Sequence, residues 1–229
     1  SKGHTVIGTG RRQEKLDELQ TQLGDKFIPL NFDVSDLPAT KTALQTLPTD
    51  LRNHIDVLVN NAGLALGLES ADKTDFADWQ QMVNTNILGL IHLTHEILPL
   101  MVANNDGYII NLSSTAGNYP YFGGNVYGAT KAFVTQFSLN LRADLVGKNI
   151  RVSNIEPGLC GGTEFSNIRF HGDDAKAAQV YDSVQYVTPQ DIANMVAWLI
   201  EQPKHVNINR IEVMPTAQTF AGLKVVKDL

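Results

Sequence analysis

The chain has 229 residues, 43% of them hydrophobic, and a formal net charge of −6, which predicts a single globular domain over residues 1–229. Because the charges form no long run of one sign, we expect no nucleic-acid partner and no membrane partner. The single cysteine, Cys160, excludes an internal disulfide; with no signal-peptide pattern and no apolar run of about 18 residues, we expect a cytoplasmic protein.

Short runs rich in β-branched residues alternate along the chain with longer segments of helical periodicity. We expect strands at residues 4–9, 27–32, 55–60, 108–112, 150–155 and 208–214. We expect helices at residues 13–23, 38–46, from 75 onward, 86–103, 124–145 and 189–200, with an irregular stretch at 157–174. This alternation predicts an α/β fold, in which a doubly wound parallel sheet lies between two layers of helices.

Polar residues or glycines follow five of the predicted strands. In a parallel α/β sheet, ligands bind beyond the carboxyl ends of the strands. The residues at these five ends are Arg11 and Arg12, Asp33, the segment 60–63, Ser113 with Ser114, and Pro157 with Gly158. The sequence therefore predicts a functional site along this edge of the sheet.

Tyr127 and Lys131 are four residues apart in a predicted helix, so their side chains share one face. A lysine ammonium beside a phenol favours the tyrosinate and lowers the phenol's pKa, which prepares it for proton exchange with an alcohol. Ser114 arrives from another element and can hold the same oxygen. The alternative is that Tyr127 and Lys131 are amphipathic surface residues.

Five features together resemble the classical short-chain dehydrogenase/reductase family, over residues 3–214. They are Asn60-Asn61-Ala62-Gly63, Asn86-x-x-Gly89, Ser114, Tyr127-x-x-x-Lys131 and Pro157-Gly158. The resemblance implies a Rossmann-type fold and a catalytic set of Asn86, Ser114, Tyr127 and Lys131. In this reading Tyr127 is the general acid/base and Ser114 polarises the substrate. The alternative for Asn86 is a cap or helix-interior residue, and Ser113 is left as a strand-end hydroxyl that bonds backbone.

The resemblance also implies the cofactor contacts. They comprise Asp33 and Val34 at the adenine, Asn61, Ala62 and Gly63 near the adenosine ribose, Tyr127 and Lys131 at the nicotinamide ribose, and Pro157, Gly158 and Thr163. Thr163 follows Pro157 by six residues, where the family usually has five. A helix cap or turn is the alternative for Asp33.

Arg11 and Arg12 stand where an NAD-selective site would place an acidic residue. Guanidinium groups match a phosphate in charge and geometry, which favours NADP as the cofactor. The alternative is that these arginines only cap or decorate the helix that follows.

Two segments, TEFSNIRFHGDD and NNAGLALG, resemble the bacterial branch of the family that acts on serine, allo-threonine and other 3-hydroxy acids, including malonic semialdehyde reductases. The resemblance implies an NADP-dependent oxidoreductase that is a homo-oligomer, with a tetramer favoured, and has a substrate loop at about residues 157–188. A substrate carboxylate would need a partner, for which Arg169 is the candidate; a subunit contact or a solvent-facing arginine is the alternative. Other functions left open are a generic carbonyl reductase and a non-catalytic NADP-binding regulatory protein.

The family's Thr-Gly-x-x-x-Gly-x-Gly loop, which binds the cofactor pyrophosphate, has no counterpart in this sequence. We expect the chain to be N-terminally incomplete, with the missing strand lying between those that end at Thr9 and Asn60. His92 and His95 share a helix face, but no further ligand spacing accompanies them, so no metal site is expected.

Overall fold

The computed structural model describes residues 2–220. The strands of this part of the chain are β1 (Val6–Gly10), β2 (Phe27–Asn31), β3 (Val57–Asn60), β4 (Gly107–Leu112), β5 (Ile150–Pro157) and β6 (Arg210–Val213). The helices are α1 (Gln13–Leu23), α2 (Leu37–Thr46), α3 (Thr49–Asn53), α4 (Phe76–Val83), α5 (Leu90–Asn104), α6 (Asn125–Asp144), α7 (Phe165–Arg169), α8 (Asp174–Gln179) and α9 (Pro189–Glu201). The predicted alternation of strands and helices is confirmed.

All strand pairs in the described residues are parallel. The hydrogen-bonded order is β1–β2 in one sheet and β3–β4–β5–β6 in the other. The predicted parallel sheet is confirmed, and within residues 2–220 no ladder hydrogen bonds join β1 to β3. The interruption lies between the same two strands that were expected to flank a further strand.

Helices cover both faces of the four-stranded sheet, and β4 shows why. Every residue of β4 is buried, as expected of a central parallel strand. Ile109 belongs to a core with residues of α5 and α6, whereas Tyr108 and Ile110 belong to a core with residues of α9. Because side chains alternate along a strand, one apolar strand supplies both cores.

α4 and α5 are joined by a π-helical turn, Asn84–Gly89, into one continuous helix. The sequence predicts a separate helix starting near residue 86, but Asn84 and Leu90 both keep helical backbone angles. Within the joined helix, Phe76–Asn104, an 18-residue window has a mean hydropathy of 1.3, so the helix is long and apolar enough to cross a membrane by length and composition alone. The core helix of a globular protein meets the same criterion, and here Ile97 and Met101 are buried in the core shared with β4.

The stretch 157–174, predicted to be irregular, contains the short helix α7 and leads into α8. α7 has five residues and α8 has six, so neither displays the repeated apolar spacing by which longer helices are recognised. A local signal for α8 does exist, because the Asp173 side chain accepts a hydrogen bond from the Lys176 backbone N–H and caps the helix.

Candidate active site

A cavity of about 480 Å³ lies beyond the carboxyl ends of the strands of the four-stranded sheet. Ser114 follows β4, Pro157 ends β5, and both line it. The cavity is also lined by predicted site residues from other elements: Asn61, Gly63, Tyr127, Lys131, Gly158, Thr163 and Arg169. The topology thus brings together most of the predicted site, as expected for a parallel sheet.

Tyr127 and Lys131 both lie in α6, one helical turn apart, and both are buried. The Lys131 Nζ donates a hydrogen bond of 2.9 Å to the backbone oxygen of Leu112, at the end of β4. It lies 5.9 Å from the centroid of the Tyr127 ring. The alternative of a solvent-facing Tyr–Lys pair is excluded by this burial.

Burial sets the proton affinities of this pair. It raises the pKa of Tyr127 to about 12, although a hydrogen bond with Ser114 and the charge of Arg169 act in the opposite direction. Burial also lowers the pKa of Lys131 to about 8. The sequence prediction of a lowered phenol pKa is wrong for this structure, because burial has the largest effect on the pKa of Tyr127 and the Lys131 ammonium is directed to the Leu112 oxygen.

The two neighbouring serines after β4 have different roles. The Ser113 hydroxyl is buried and donates to the backbone oxygen of Lys131, at 2.6 Å, so it fixes α6 against the sheet. The Ser114 hydroxyl lines the cavity, donates to the Pro157 oxygen at 3.2 Å and accepts from the Ala116 N–H at 3.1 Å. The structure therefore places Ser114, and not Ser113, beside Tyr127.

Asn86 lies in the π-helical turn and is buried. Its side chain donates to the Leu64 oxygen (2.8 Å) and the Thr130 hydroxyl (3.0 Å), and accepts from the Leu64 N–H (2.9 Å). A Cβ on Gly63 would come within 3.3 Å of Asn86 Oδ1 and 3.2 Å of Lys131 Nζ. Asn86 thus holds the segment after β3 against α6. This places Gly63, in that segment, next to Lys131.

The predicted cofactor residues after β3 and β5 follow the same edge. Asn61 and Gly63 line the cavity, and Ala62 between them is exposed. At the other side, the Gly158 N–H donates to the Val213 oxygen at 2.7 Å, which holds the turn after β5 against β6. Thr163 is exposed and its hydroxyl accepts from the Phe165 N–H at 3.2 Å, so it caps the turn before α7.

Arg11 and Arg12 do not line the cavity of Tyr127 but a second cleft, between α1 and the segment of α7. The Arg12 guanidinium donates two hydrogen bonds to the Glu164 carboxylate, at 2.6 and 3.0 Å. Arg11 lies 3.5 Å from a carboxylate oxygen of Asp33. The two arginines therefore flank the adenine-binding residues predicted at the end of β2.

Asp33 takes the turn role that the sequence left as an alternative. One of its oxygens accepts from both the backbone N–H and the hydroxyl of Ser35, at 2.8 and 2.7 Å. Partial burial acts to raise the pKa of Asp33, but the bonds from Ser35 and the nearby Arg11 hold it below its usual value. Val34 is half-buried. Its backbone oxygen packs against Gly89, where a Cβ atom added to the glycine would come within 2.8 Å of that oxygen.

Arg169, at the end of α7, points its charge into the cavity. Its Nη2 donates to the Tyr121 hydroxyl at 2.9 Å, and its Nε donates to the Gly67 oxygen at 3.2 Å. The guanidinium carbon is 5.6 Å from the centroid of the Tyr127 ring. The structure thus places a half-buried Arg169 in the cavity wall, and its contact with substrate stays a prediction.

Sequence reasoning missed Glu156, which is fully buried beneath the site. Its carboxylate accepts hydrogen bonds from the side chains of Arg210, Asn118 and Asn154, at 2.6–2.8 Å. Glu156 precedes Pro157, whose oxygen receives the Ser114 hydrogen bond. A glutamate directly after the predicted strand 150–155 was the signal available, since a charge that is buried there requires a partner.

Cys160 lines the cavity, and burial raises the pKa of its thiol. A raised pKa disfavours the thiolate, which is the reactive form of cysteine. Cys160 is therefore suited to packing in the cavity wall and not to acting as a nucleophile. Within residues 2–220, no three histidine, cysteine or acidic side chains lie close enough together to hold a metal ion.

Comparison with known proteins decides the family. The family description of short chain dehydrogenases matches residues 1–173, most of the chain. The protein belongs to the short-chain dehydrogenase family. As a short-chain dehydrogenase, it is 67% identical over 226 residues to a probable NADP-dependent dehydrogenase of Haemophilus influenzae, covering 99% of this chain and 89% of that one.

Two further relatives narrow the position within the short-chain dehydrogenases. The NADP-dependent 3-hydroxy acid dehydrogenase YdfG of Escherichia coli K12 is 56% identical over 223 residues, covering 97% of this chain and 90% of the relative. The structure of a closed serine dehydrogenase complexed with NADP+ matches with a TM-score of 0.97 at 55% identity, covering 99% of this chain and 91% of that one. The predicted fold and the predicted branch are both confirmed.

Proposed function

We propose that this chain is an NADP-dependent oxidoreductase that interconverts the alcohol and the carbonyl of small 3-hydroxy acids, such as serine, allo-threonine or 3-hydroxypropionate. The observation that carries the proposal is a single cavity that holds Ser114, Tyr127, Lys131 and Arg169. The first three supply alcohol–carbonyl chemistry, and Arg169 supplies a positive charge for the carboxylate of the acid. The relatives that act on 3-hydroxy acids and serine support the same substrate class.

The residues present fit NADP. Arg11 and Arg12 put two guanidinium groups at the carboxyl end of the β1–β2 sheet, where a 2′-phosphate needs positive charge. Lys131 and the backbone around Gly63 line the cavity near Tyr127, where a nicotinamide ribose would bond the ammonium. When bound, NADP(H) supplies or accepts the hydride of the reaction.

The chain's own residues handle the proton. Ser114 and Tyr127 both present hydroxyl groups to the cavity and can bond the same substrate oxygen. In the reducing direction the Tyr127 O–H gives its proton to that oxygen, and the positive charge of Arg169 stabilises the tyrosinate that forms. Because the pKa of Tyr127 is raised to about 12, the phenol carries its proton at neutral pH, which suits it to this reducing direction.

The hydroxyl groups in the cavity also favour turnover over a purely regulatory role. A protein that only bound NADP would need no proton donor in the cavity, whereas here the Tyr127 phenol and the Ser114 hydroxyl are both presented there. A generic carbonyl reductase would not require Arg169 in the cavity.

We also propose a cytoplasmic homotetramer. Large apolar side chains are exposed on the long helices and on α9, among them Leu88, Phe133 and Trp198. Such exposed apolar groups on several helices suit burial against further copies of the chain. Light scattering coupled to size exclusion measures the assembly mass; a monomer would contradict this proposal without affecting the catalytic one.

A substrate screen tests the catalytic proposal. NADP+ reduction is followed with serine, allo-threonine and 3-hydroxypropionate, each repeated with NAD+ as the matched control. We expect turnover of at least one acid, with a preference for NADP+. No turnover of any of the three acids, together with reduction of uncharged carbonyl compounds, would replace the proposal with a generic carbonyl reductase.

A further inference from the structure

Tyr121 lies between the catalytic Ser114 and Tyr127 in the chain, and its ring lines the same cavity. Its hydroxyl oxygen accepts the 2.9 Å hydrogen bond from Arg169 Nη2. Arg169 is held from a second side by Gly67, which accepts from its Nε and donates its own N–H to the Arg169 oxygen at 2.8 Å. The guanidinium is thereby fixed in one orientation above the two tyrosine rings.

Both side chains keep hydrogen-bond donors that the described protein atoms do not use. Arginine has five N–H donors, and those of Arg169 make two side-chain bonds within residues 2–220. Tyr121 accepts a bond through its oxygen, and its own O–H proton has no acceptor among the described residues. The pair therefore offers several unused donors beside the cavity and no acceptor beyond the phenol oxygen.

The charge of the cavity points to an anion. Of the residues that line it, Lys131 and Arg169 are basic, and none of the described lining residues is an aspartate or a glutamate. A carboxylate has two oxygens that only accept, which complements a guanidinium and a phenol O–H side by side.

The separation of Arg169 from Tyr127 is compatible with a short hydroxy acid. The Arg169 guanidinium carbon is 5.6 Å from the ring centroid of Tyr127. In a 3-hydroxy acid, two carbon–carbon bonds of about 1.5 Å each separate the carbinol carbon from the carboxyl carbon. Because Arg169 and the Tyr127 ring line one cavity at this separation, we expect a substrate of this length to reach both side chains.

We propose that Tyr121 is a specificity-determining residue, which with Arg169 forms a two-residue receptor for the substrate carboxylate. In this receptor one carboxylate oxygen accepts from the Tyr121 O–H and the other from the free N–H groups of Arg169. Tyr121 also orients Arg169 by accepting from it, so its hydroxyl contributes to recognition in two ways. The inference rests on the proposed function and names the residue that selects acids over neutral alcohols.

The test compares 3-hydroxypropionate with its neutral amide, 3-hydroxypropionamide, in the wild type and in Tyr121→Phe. The measured quantity is the ratio of kcat/KM for the acid to kcat/KM for the amide. Loss of one hydrogen bond to a charged group lowers this ratio about tenfold, mainly through the KM of the acid. Arg169→Gln is expected to lower it by more, about a hundredfold, with Arg169→Lys in between because it restores the charge without the planar fork.

Tyr119→Phe is the matched control, since Tyr119 also lines the cavity but its hydroxyl donates to Glu212 at 3.1 Å. Its acid-to-amide ratio should stay at the wild-type value, and NADPH binding by fluorescence checks that each variant keeps its fold. An unchanged ratio in Tyr121→Phe, or an equal fall in Tyr119→Phe, would overturn the role of Tyr121. A wild-type protein inactive on every hydroxy acid would instead overturn the proposed function itself.

Discussion

Replacing Lys131 by methionine should make the protein more stable while it abolishes turnover. Burial lowers the pKa of Lys131 from 10.5 to about 8. One pKa unit corresponds to about 1.4 kcal/mol, so keeping this lysine charged in the folded state costs about 3 kcal/mol. Methionine is unbranched and apolar, so it fills the same space in α6 without that cost.

The substitution also removes a hydrogen bond. The Leu112 oxygen loses the donor Nζ of Lys131, and an unpaired buried carbonyl costs about 1–2 kcal/mol. The free energy of unfolding of Lys131→Met at neutral pH should therefore exceed that of the wild type by about 1–2 kcal/mol. In a domain of this size the gain raises Tm by about 5 °C.

The pH dependence identifies the cause. Below pH 8, Lys131 is protonated in both the folded and the unfolded chain, so the wild type bears the whole cost. Between 8 and 10.5 the unfolded chain binds the proton more tightly, and stability of the wild type rises with pH until the cost is gone. The advantage of Lys131→Met should thus be largest at neutral pH and shrink as pH rises towards 10.5.

Urea unfolding at several pH values measures this difference directly. Lys26→Met serves as the control, because Lys26 is exposed and its removal leaves no buried charge to relieve. A Lys131→Met protein that is less stable than the wild type at neutral pH, or whose advantage does not change with pH, would refute the reasoning.

Two further predictions concern the cofactor and the buried charge beneath the site. Changing Arg11 and Arg12 together to alanine should lower the preference for NADP+ over NAD+ by about tenfold or more, because each charged hydrogen bond to the 2′-phosphate contributes about 1.5–3 kcal/mol. An unchanged ratio of the kcat/KM values for the two cofactors would contradict the role of these arginines. Glu156→Ala should lower the free energy of unfolding by about 3 kcal/mol, because Arg210, Asn118 and Asn154 each lose the hydrogen bonds that they donate to this buried carboxylate. Glu212→Ala, at an exposed carboxylate, should cost far less, and equal effects of the two substitutions in urea unfolding would refute this prediction.

The sequence predicted the strand ends well, for a physical reason. β4 and β5 are short runs with isoleucine or valine at several positions, and parallel strands place their carboxyl ends at one edge. Knowing only this, one can place Ser114 and Pro157 beside each other, and helical spacing adds Lys131 to Tyr127.

Contacts between segments that are distant in the chain could not be predicted from the sequence in the same way. The pairing of Arg169 with Tyr121 spans 48 residues, and that of Arg12 with Glu164 spans 152. Neither pairing follows from local pattern, since both depend on how the short helix α7 folds over the sheet edge. The predicted lowering of the pKa of Tyr127 was wrong for a related reason. Burial raises this pKa, and burial is a property of the whole fold and not of spacing within one helix.

Tyr127 is the proposed proton donor in an NADP-dependent reaction of small 3-hydroxy acids, and Tyr127→Phe removes its hydroxyl. NADPH binding by fluorescence and turnover of 3-hydroxypropionate by NADP+ reduction are measured in the same preparations of the wild type and the variant. We expect the variant to bind NADPH as the wild type does but to lose turnover. A variant that turns over the acid at a rate near that of the wild type would refute the role of Tyr127.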